Sequence, residues 1–334
     1  MSLGLDEMNE RGEGAWLPGA VTLAELREAG VCWCLGTVFT WSGGDDETGF
    51  EPFDVEAAHW AGERQMAVYR DWATRGWIDI AEGGRFGQTT SSVAGDEAAG
   101  GGRRLVVGVL MENADPIRTP DELGWWVDSG VVAIGLTWKE RGRYAGGNGC
   151  VGGEAVLTDL GKELLDAMEE EGVVLDVSHL SDAALDAALE RFGGGVIASH
   201  SNCRSIVGVG EPEWDQRHLT DEAIKEIGRR GGVIGLNLVR YFIRRGLAAD
   251  DPARPSVSEA LDHVERVCEL VGSRACVGLG TDMDGGITAC DLPEGIDRAR
   301  DVVKLVEALG ERGWCESDLA GFARENWLRV FASR

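Results

Sequence analysis

Apolar residues along this 334-residue chain gather into seven short continuous runs, separated by segments long enough to be helices. The runs are 31–38 (VCWCLGTV), 104–110 (RLVVGVL), 131–136 (VVAIGL), 172–177 (GVVLDV), 195–199 (GVIAS), 232–237 (GVIGLN) and 275–280 (ACVGLG). Each is apolar throughout rather than alternating, the pattern of a strand covered on both faces. Between them, residues 54–75 carry a long amphipathic pattern, and Thr158 precedes an acidic first turn in a helix that closes near Gly172. Ser181, Thr220 and Ser256 are placed as N-caps of the segments that follow them. Strands alternating with helices predict a parallel sheet with helices outside, an α/β chain of the TIM-type (β/α)8 barrel class. A closed barrel has eight strands, so one is missing: either it escapes the pattern or the chain begins too late to contain it. One barrel accommodates the whole length as a single domain over 1–334, and the Gly-, Ser- and Thr-rich residues 82–103 are expected to form a loop within it.

The ends of these runs carry the candidate chemistry. His179 closes GVVLDVSH and His200 closes GVIASH, with one helix-sized segment between them. A strand feeding directly into a histidine delivers the imidazole at its carboxyl end, and a helical crossover brings the next parallel strand alongside. Two neutral ring nitrogens then converge on one divalent ion. Two unrelated core or surface histidines are the plainer alternative, and the matched strand-end placement favours the ligand reading over it. Glu112 stands just beyond VVGVLM, where a carboxylate could bridge two metals or be only a solvated loop residue. Asp282 follows VGLG directly, where a carboxylate can ligate metal while accepting a proton from activated water. The string from Asp282 to Gly285 superficially matches a calcium loop, but Gly286 and Pro293 occupy positions that need side-chain oxygens.

Composition narrows the partners. With 58 acidic and 32 basic residues the formal charge is −26, which leaves no basic stripe for nucleic acid and disfavours anionic membrane surfaces. The eight cysteines (Cys32, Cys34, Cys150, Cys203, Cys268, Cys276, Cys290 and Cys315) include no C-x-x-C pair, so zinc-ribbon and thioredoxin readings fail. They are expected to be reduced, buried small hydrophobes of a cytoplasmic protein. No apolar run approaches the roughly 20 residues that span a bilayer, and no charged leader precedes an apolar core. Nucleophile-elbow and phosphate-loop motifs are absent, and Gly208 and Gly210 match a dinucleotide fingerprint only in part. Metal-activated water is the nucleophile that remains. Most of the twelve tryptophans are expected to be packing residues.

The strings DVSHLSD (176–182), IASHSNCRSI (197–206), RHLTDEAI (217–224), GGVIGLN (231–237) and VGLGTDMDGG (277–286) resemble the renal (membrane) dipeptidase family, the M19 peptidases. The resemblance runs from about Leu17 through ENWLRVF at 325–331. It implies an amidohydrolase-type (β/α)8 barrel with two zinc (Zn) ions that cleaves dipeptides, commonly tolerating a D-residue at the carboxyl end. Carried over residue by residue, it makes Glu112 the bridging carboxylate, His179 and His200 the ligands of the second zinc, and Asp282 the first-zinc ligand and general base. Arg217 matches the arginine that binds the substrate's terminal carboxylate, a task suited to a planar guanidinium fork. A homodimer is implied by the same resemblance.

Two departures from the family pattern stand out. The family's first strand bears His-x-Asp, which supplies two ligands of the first zinc; none of the five histidines here is followed by x-Asp in that way. The missing motif and the missing eighth strand are one absence. Either the start is misplaced downstream of that strand, behind a leader of vector origin, or the strand is genuinely lost; the first is the favoured expectation, because an open barrel seam leaves backbone groups unsatisfied. Secondly, Trp138 stands where the better-known mammalian members have a catalytic-site histidine. The chain is therefore expected to be a metallo-dipeptidase that binds one metal well or two poorly. The alternatives are a non-catalytic or impaired family member, or another amidohydrolase activity.

Overall fold

The computed structural model describes residues 20–44, 48–81, 104–247 and 252–332. The first nineteen residues and the expected loop at 82–103 lie outside the described residues. The chain is organised as two compact units.

The larger unit lies within residues 33–198, 210–217 and 328–332. Its strands are β1 (Trp33–Val38), β2 (Ile78–Ile80), β3 (Leu105–Met111), β4 (Val131–Gly135), β5 (Val174–Asp176) and β6 (Val196–Ala198). β3 is buried along its whole length, as its unbroken apolar run requires. It pairs parallel with β1 from Trp33↔Val106 to Val38↔Met111, and with β4, where the register shifts between Val109 and Leu110. β5 pairs with β4, and β6 with β5, again in parallel. β2 pairs with the first half of β3. It is an element that the hydrophobic pattern did not announce, since Ile78-Asp79-Ile80 offers only two apolar residues. The helices are α1 (Val55–Thr74), α2 (Leu123–Asp128), α3 (Asp159–Glu171) and α4 (Asp182–Arg191). Asp54, Thr158 and Ser181 cap α1, α3 and α4 by accepting from Ala57, Gly161 and Ala184 N–H groups at 3.0, 3.0 and 3.3 Å. Trp126, Tyr144 and Phe192 are fully buried in its core.

The second unit lies within 20–32, 199–209 and 218–327. It holds β7 (Val233–Leu236) and β8 (Val277–Leu279), parallel in the register Val277↔Ile234 to Leu279↔Leu236. Around them lie α5 (Asp221–Arg229), α6 (Val257–Val271) and α7 (Val303–Glu311). Thr220 caps α5, and Ser256 and Glu259 form a reciprocal capping box on α6.

All seven apolar runs are strands and β2 is an eighth, paired on β3 outside their path; the chain has the α/β fold of a TIM-type barrel with seven barrel strands. No strand bearing His-x-Asp occurs among the described residues. All eight cysteines are free thiols. Cys150, Cys203 and Cys276 are buried as expected, and burial pushes the Cys203 thiol up to about 12, which keeps it protonated and inert. Cys32, Cys34 and Cys268 are only half-buried, and Cys290 and Cys315 are exposed, against that expectation. No helix among the described residues is long and apolar enough to cross a membrane.

Candidate functional site

In the larger unit, Glu112 is the first residue beyond β3, and its N–H donates to the Val38 carbonyl at 3.0 Å. His179 lies three residues beyond β5, where the chain turns sharply. The Ser178 N–H donates to Asp176 Oδ1 at 3.0 Å, and His179 itself has φ of 70°, in the left-handed region. Such a conformation costs a non-glycine residue on the order of 1–3 kcal/mol and persists only when its surroundings impose it. Here the Asn148 N–H donates to the His179 carbonyl at 2.7 Å, and the Leu180 N–H to the Val177 carbonyl at 3.2 Å.

This turn points the ring at Glu112. His179 Nε2 lies 3.2 Å from Glu112 Oε1, with both side chains largely buried. The opposite nitrogen, Nδ1, is 3.0 Å from Asn148 Oδ1. An amide oxygen only accepts, so Nδ1 donates and Nε2 turns its lone pair toward a carboxylate oxygen. Two acceptors at that distance repel unless a proton or a cation lies between them. A carboxylate and a neutral imidazole, the latter braced through its other nitrogen, are a donor set suited to a divalent ion such as zinc. Gln216 fixes the brace in turn: its Nε2 donates to the carbonyls of Asn148 (3.2 Å) and Cys150 (2.9 Å), and its Oε1 accepts from the Asp182 N–H (3.0 Å). The next residue is Arg217, only 4% exposed.

In the second unit, His200 and Asp282 are joined through Asn237, which follows β7. Asn237 Nδ2 donates to the His200 carbonyl at 3.1 Å and to Asp282 Oδ2 at 2.9 Å, while Oδ1 accepts from the Val239 N–H at 2.7 Å. Asn202 grips the Asn237 backbone on both sides, at 3.0 and 3.1 Å. Ser199 Oγ meets His200 Nδ1 at 2.6 Å. Asp282, like His179, takes a left-handed conformation, with φ of 57°. The backbones of Ser199, Gly235 and Gly280 run so close that a Cβ on either glycine would stand 2.0 Å from the Ser199 carbonyl oxygen.

Glu112 is thus brought to His179, and Asp282 to the backbone of His200, each pair within its own unit. The braces Asn148, Gln216, Asn202 and Asn237 were not anticipated as functional. They are neutral amides with no charge or metal preference to announce them; only Asn237, at the end of an apolar run, occupied a telling place.

The sequence profile of the membrane dipeptidase family, peptidase family M19, matches residues 13–333. Dipeptidase 3 of Rattus norvegicus is 30% identical over 175 residues, which cover 52% of this chain and 33% of that protein. For Dipeptidase 3 of Mus musculus the figures are 30%, 52% and 32%. The chain spans about a third of the length of the curated relatives it matches. Among solved structures, the probable dipeptidase PvdM from Pseudomonas aeruginosa superposes with a TM-score of 0.80 at 18% identity, over 94% of this chain and 88% of that one. A metallo peptidase described as dipeptidase AC gives 0.78 at 22%, over 98% and 94%. A metallo peptidase from Rhodobacter sphaeroides, liganded with a phosphinate mimic of the dipeptide L-Ala-D-Ala, gives 0.78 at 20%, over 98% and 95%. At these identities the structural likenesses establish the fold. The profile match across nearly the whole chain establishes the kinship: this chain belongs to the membrane dipeptidase family, peptidase family M19.

Proposed function

We propose that this chain hydrolyses the peptide bond of dipeptides with the help of zinc, held by Glu112, His179, His200 and Asp282. The observation that carries this reading is the buried contact of His179 Nε2 with Glu112 Oε1, which a proton or a cation must bridge and which is braced by Asn148. Glu112, His179 and His200 offer one carboxylate oxygen and two imidazole nitrogens, a ligand set that suits zinc. Zinc bound there supplies Lewis-acid polarisation of the scissile carbonyl and lowers the pKa of a water molecule.

The remaining work falls to the chain's own residues. Asn148 keeps the proton of His179 on Nδ1, so that Nε2 retains its lone pair. Asn237 holds Asp282 through Oδ2, orienting the carboxylate to take a proton from the attacking water and return it to the departing amine. Arg217 receives the terminal carboxylate of the dipeptide on its guanidinium fork. A D-residue at that terminus is included in the proposal, supported by the ligand of the Rhodobacter sphaeroides structure. A homodimer is proposed as the assembly on family membership alone.

The absence of His-x-Asp from the sequence favours a second reading, an impaired or non-catalytic member that keeps one metal. A panel of L,L and L,D dipeptides with added Zn2+, run beside metal analysis, separates the two. We expect turnover that Asp282→Asn abolishes, and near one equivalent of metal that His179→Ala removes. Two tightly held equivalents would refute the one-metal expectation, and a metal-loaded chain that cleaves no dipeptide would establish the second reading.

A further inference from the structure

Three aromatic rings gather beside His179. Phe39 and Trp41 follow β1, and Trp138 follows β4. Trp138 meets Phe39 edge-on with centroids 5.2 Å apart and Trp41 at 5.7 Å, and its own ring lies 6.0 Å from that of His179. All three side chains are half-buried. Their backbones are held firmly. Gln65 of α1 accepts from the Phe39 N–H at 2.9 Å and donates to its carbonyl at 2.5 Å. The Trp41 N–H donates to the Thr48 carbonyl at 3.2 Å. Beneath Trp138, Gly147 approaches so closely that a Cβ there would stand 1.9 Å from the Trp138 carbonyl oxygen. The Gly147 and Gly149 N–H groups pin the next two carbonyls, those of Glu140 and Lys139, at 3.0 and 2.9 Å.

Rings used only as core would be fully covered, as Trp126 and Tyr144 are in the same unit. Rigid, half-exposed rings beside polar chemistry are instead the usual wall of a small-molecule site, because binding against them costs little ordering entropy. We propose that Trp138, together with Phe39 and Trp41, binds a bulky apolar side chain of the substrate, aromatic or branched aliphatic, and makes this chain selective for dipeptides that carry one. The proposal rests on the dipeptidase reading and deepens it. Trp138 acts here as a specificity-determining residue, not as a proton donor.

The test compares Ala-Ala, Phe-Ala and Ala-Phe in two assays, kcat/KM with Zn2+ and equilibrium calorimetry in chelator, which needs no turnover. We expect the wild type to favour one phenylalanyl dipeptide over Ala-Ala, and Trp138→Ala to reduce that preference about tenfold in both assays, the size of a lost aromatic contact. Trp138→Phe should retain most of it, which distinguishes recognition from mere folding. An equal fall for all three dipeptides, or unchanged calorimetric affinities, would overturn the proposal while leaving the dipeptidase reading intact. Trp138-dependent binding without cleavage by the wild type would do the reverse.

Discussion

Asn148 and His179 are linked twice: the Asn148 N–H donates to the His179 carbonyl at 2.7 Å, and His179 Nδ1 donates to Asn148 Oδ1 at 3.0 Å. The first bond holds the left-handed backbone of the histidine, and the second sets its tautomer. Asn148→Leu should therefore weaken zinc binding by about 10- to 100-fold, the usual cost of removing the partner of a ligating histidine. Asn148→Asp keeps the acceptor and should stay within a few-fold of the wild type. Competition titration against a chelator measures both, and equal losses in the two variants would refute the tautomer argument.

Asn237 spends both protons of one amide nitrogen on His200 and Asp282. Asn237→Ala strands a buried carbonyl and the Val239 N–H, at a cost of about 2–4 kcal/mol in unfolding free energy. Because the Asp282 carboxylate loses its anchor as well, kcat should fall at least about tenfold even where the fold survives. Denaturant titration and dipeptide kinetics on the same preparation test the two halves of this expectation.

The contrast between legible and hidden features has a physical cause. Runs such as 104–110 and 131–136 are apolar because both faces of β3 and β4 are covered, and burial of that kind is written into composition. Thr158, Ser181, Thr220 and Ser256 could be placed as caps because their hydroxyls satisfy local N–H groups within three residues. The positive φ of His179 and Asp282 could not; at His179 the carbonyl is held by the N–H of Asn148, a residue remote in sequence. β2 stayed hidden because three residues are too few to show a period.

Gly235 and Gly280 leave no room beside Ser199. A methyl group 2.0 Å from a backbone oxygen can be relieved only by moving β7 or β8, so Gly280→Ala and Gly235→Ala should each cost more than about 3 kcal/mol or prevent folding. Soluble yield and the urea midpoint check this. A loss under about 1 kcal/mol would mean that these strands can separate cheaply.

His263 on α6 is buried, with Nδ1 accepting from the Cys203 N–H at 3.1 Å and Nε2 donating to the Ile243 carbonyl at 3.1 Å. Burial pushes its pKa below the ordinary histidine value, against the opposing pull of the Ile243 carbonyl and Asp262. The unfolded chain then binds a proton at about pH 6.5 that the folded chain refuses. Stability contributed by this group is complete above that pH and falls as pH drops from about 6.5 toward the folded value, by up to about 1.4 kcal/mol per pH unit. Melting temperatures taken from pH 7.5 down to 5 should fall more gently for His263→Gln than for the wild type. Parallel curves would remove the histidine from the account.

Arg217 is 4% exposed, and Gln216 beside it is bonded to Asn148, Cys150 and the start of α4. A buried cation placed on so fixed a segment can meet a planar anion without reordering, which is how a guanidinium fork recognises a carboxylate. If it holds the terminal carboxylate in the proposed reaction, Arg217→Ala should raise KM for a free dipeptide by about 100-fold, with a smaller change in kcat. Arg217→Lys should recover only part of the loss, since a point charge cannot supply two parallel hydrogen bonds. The deciding comparison is a dipeptide amide, which has no terminal carboxylate. Its already weak KM should be nearly insensitive to Arg217→Ala, whereas an equal rise for acid and amide would show that the arginine supports the segment rather than the substrate.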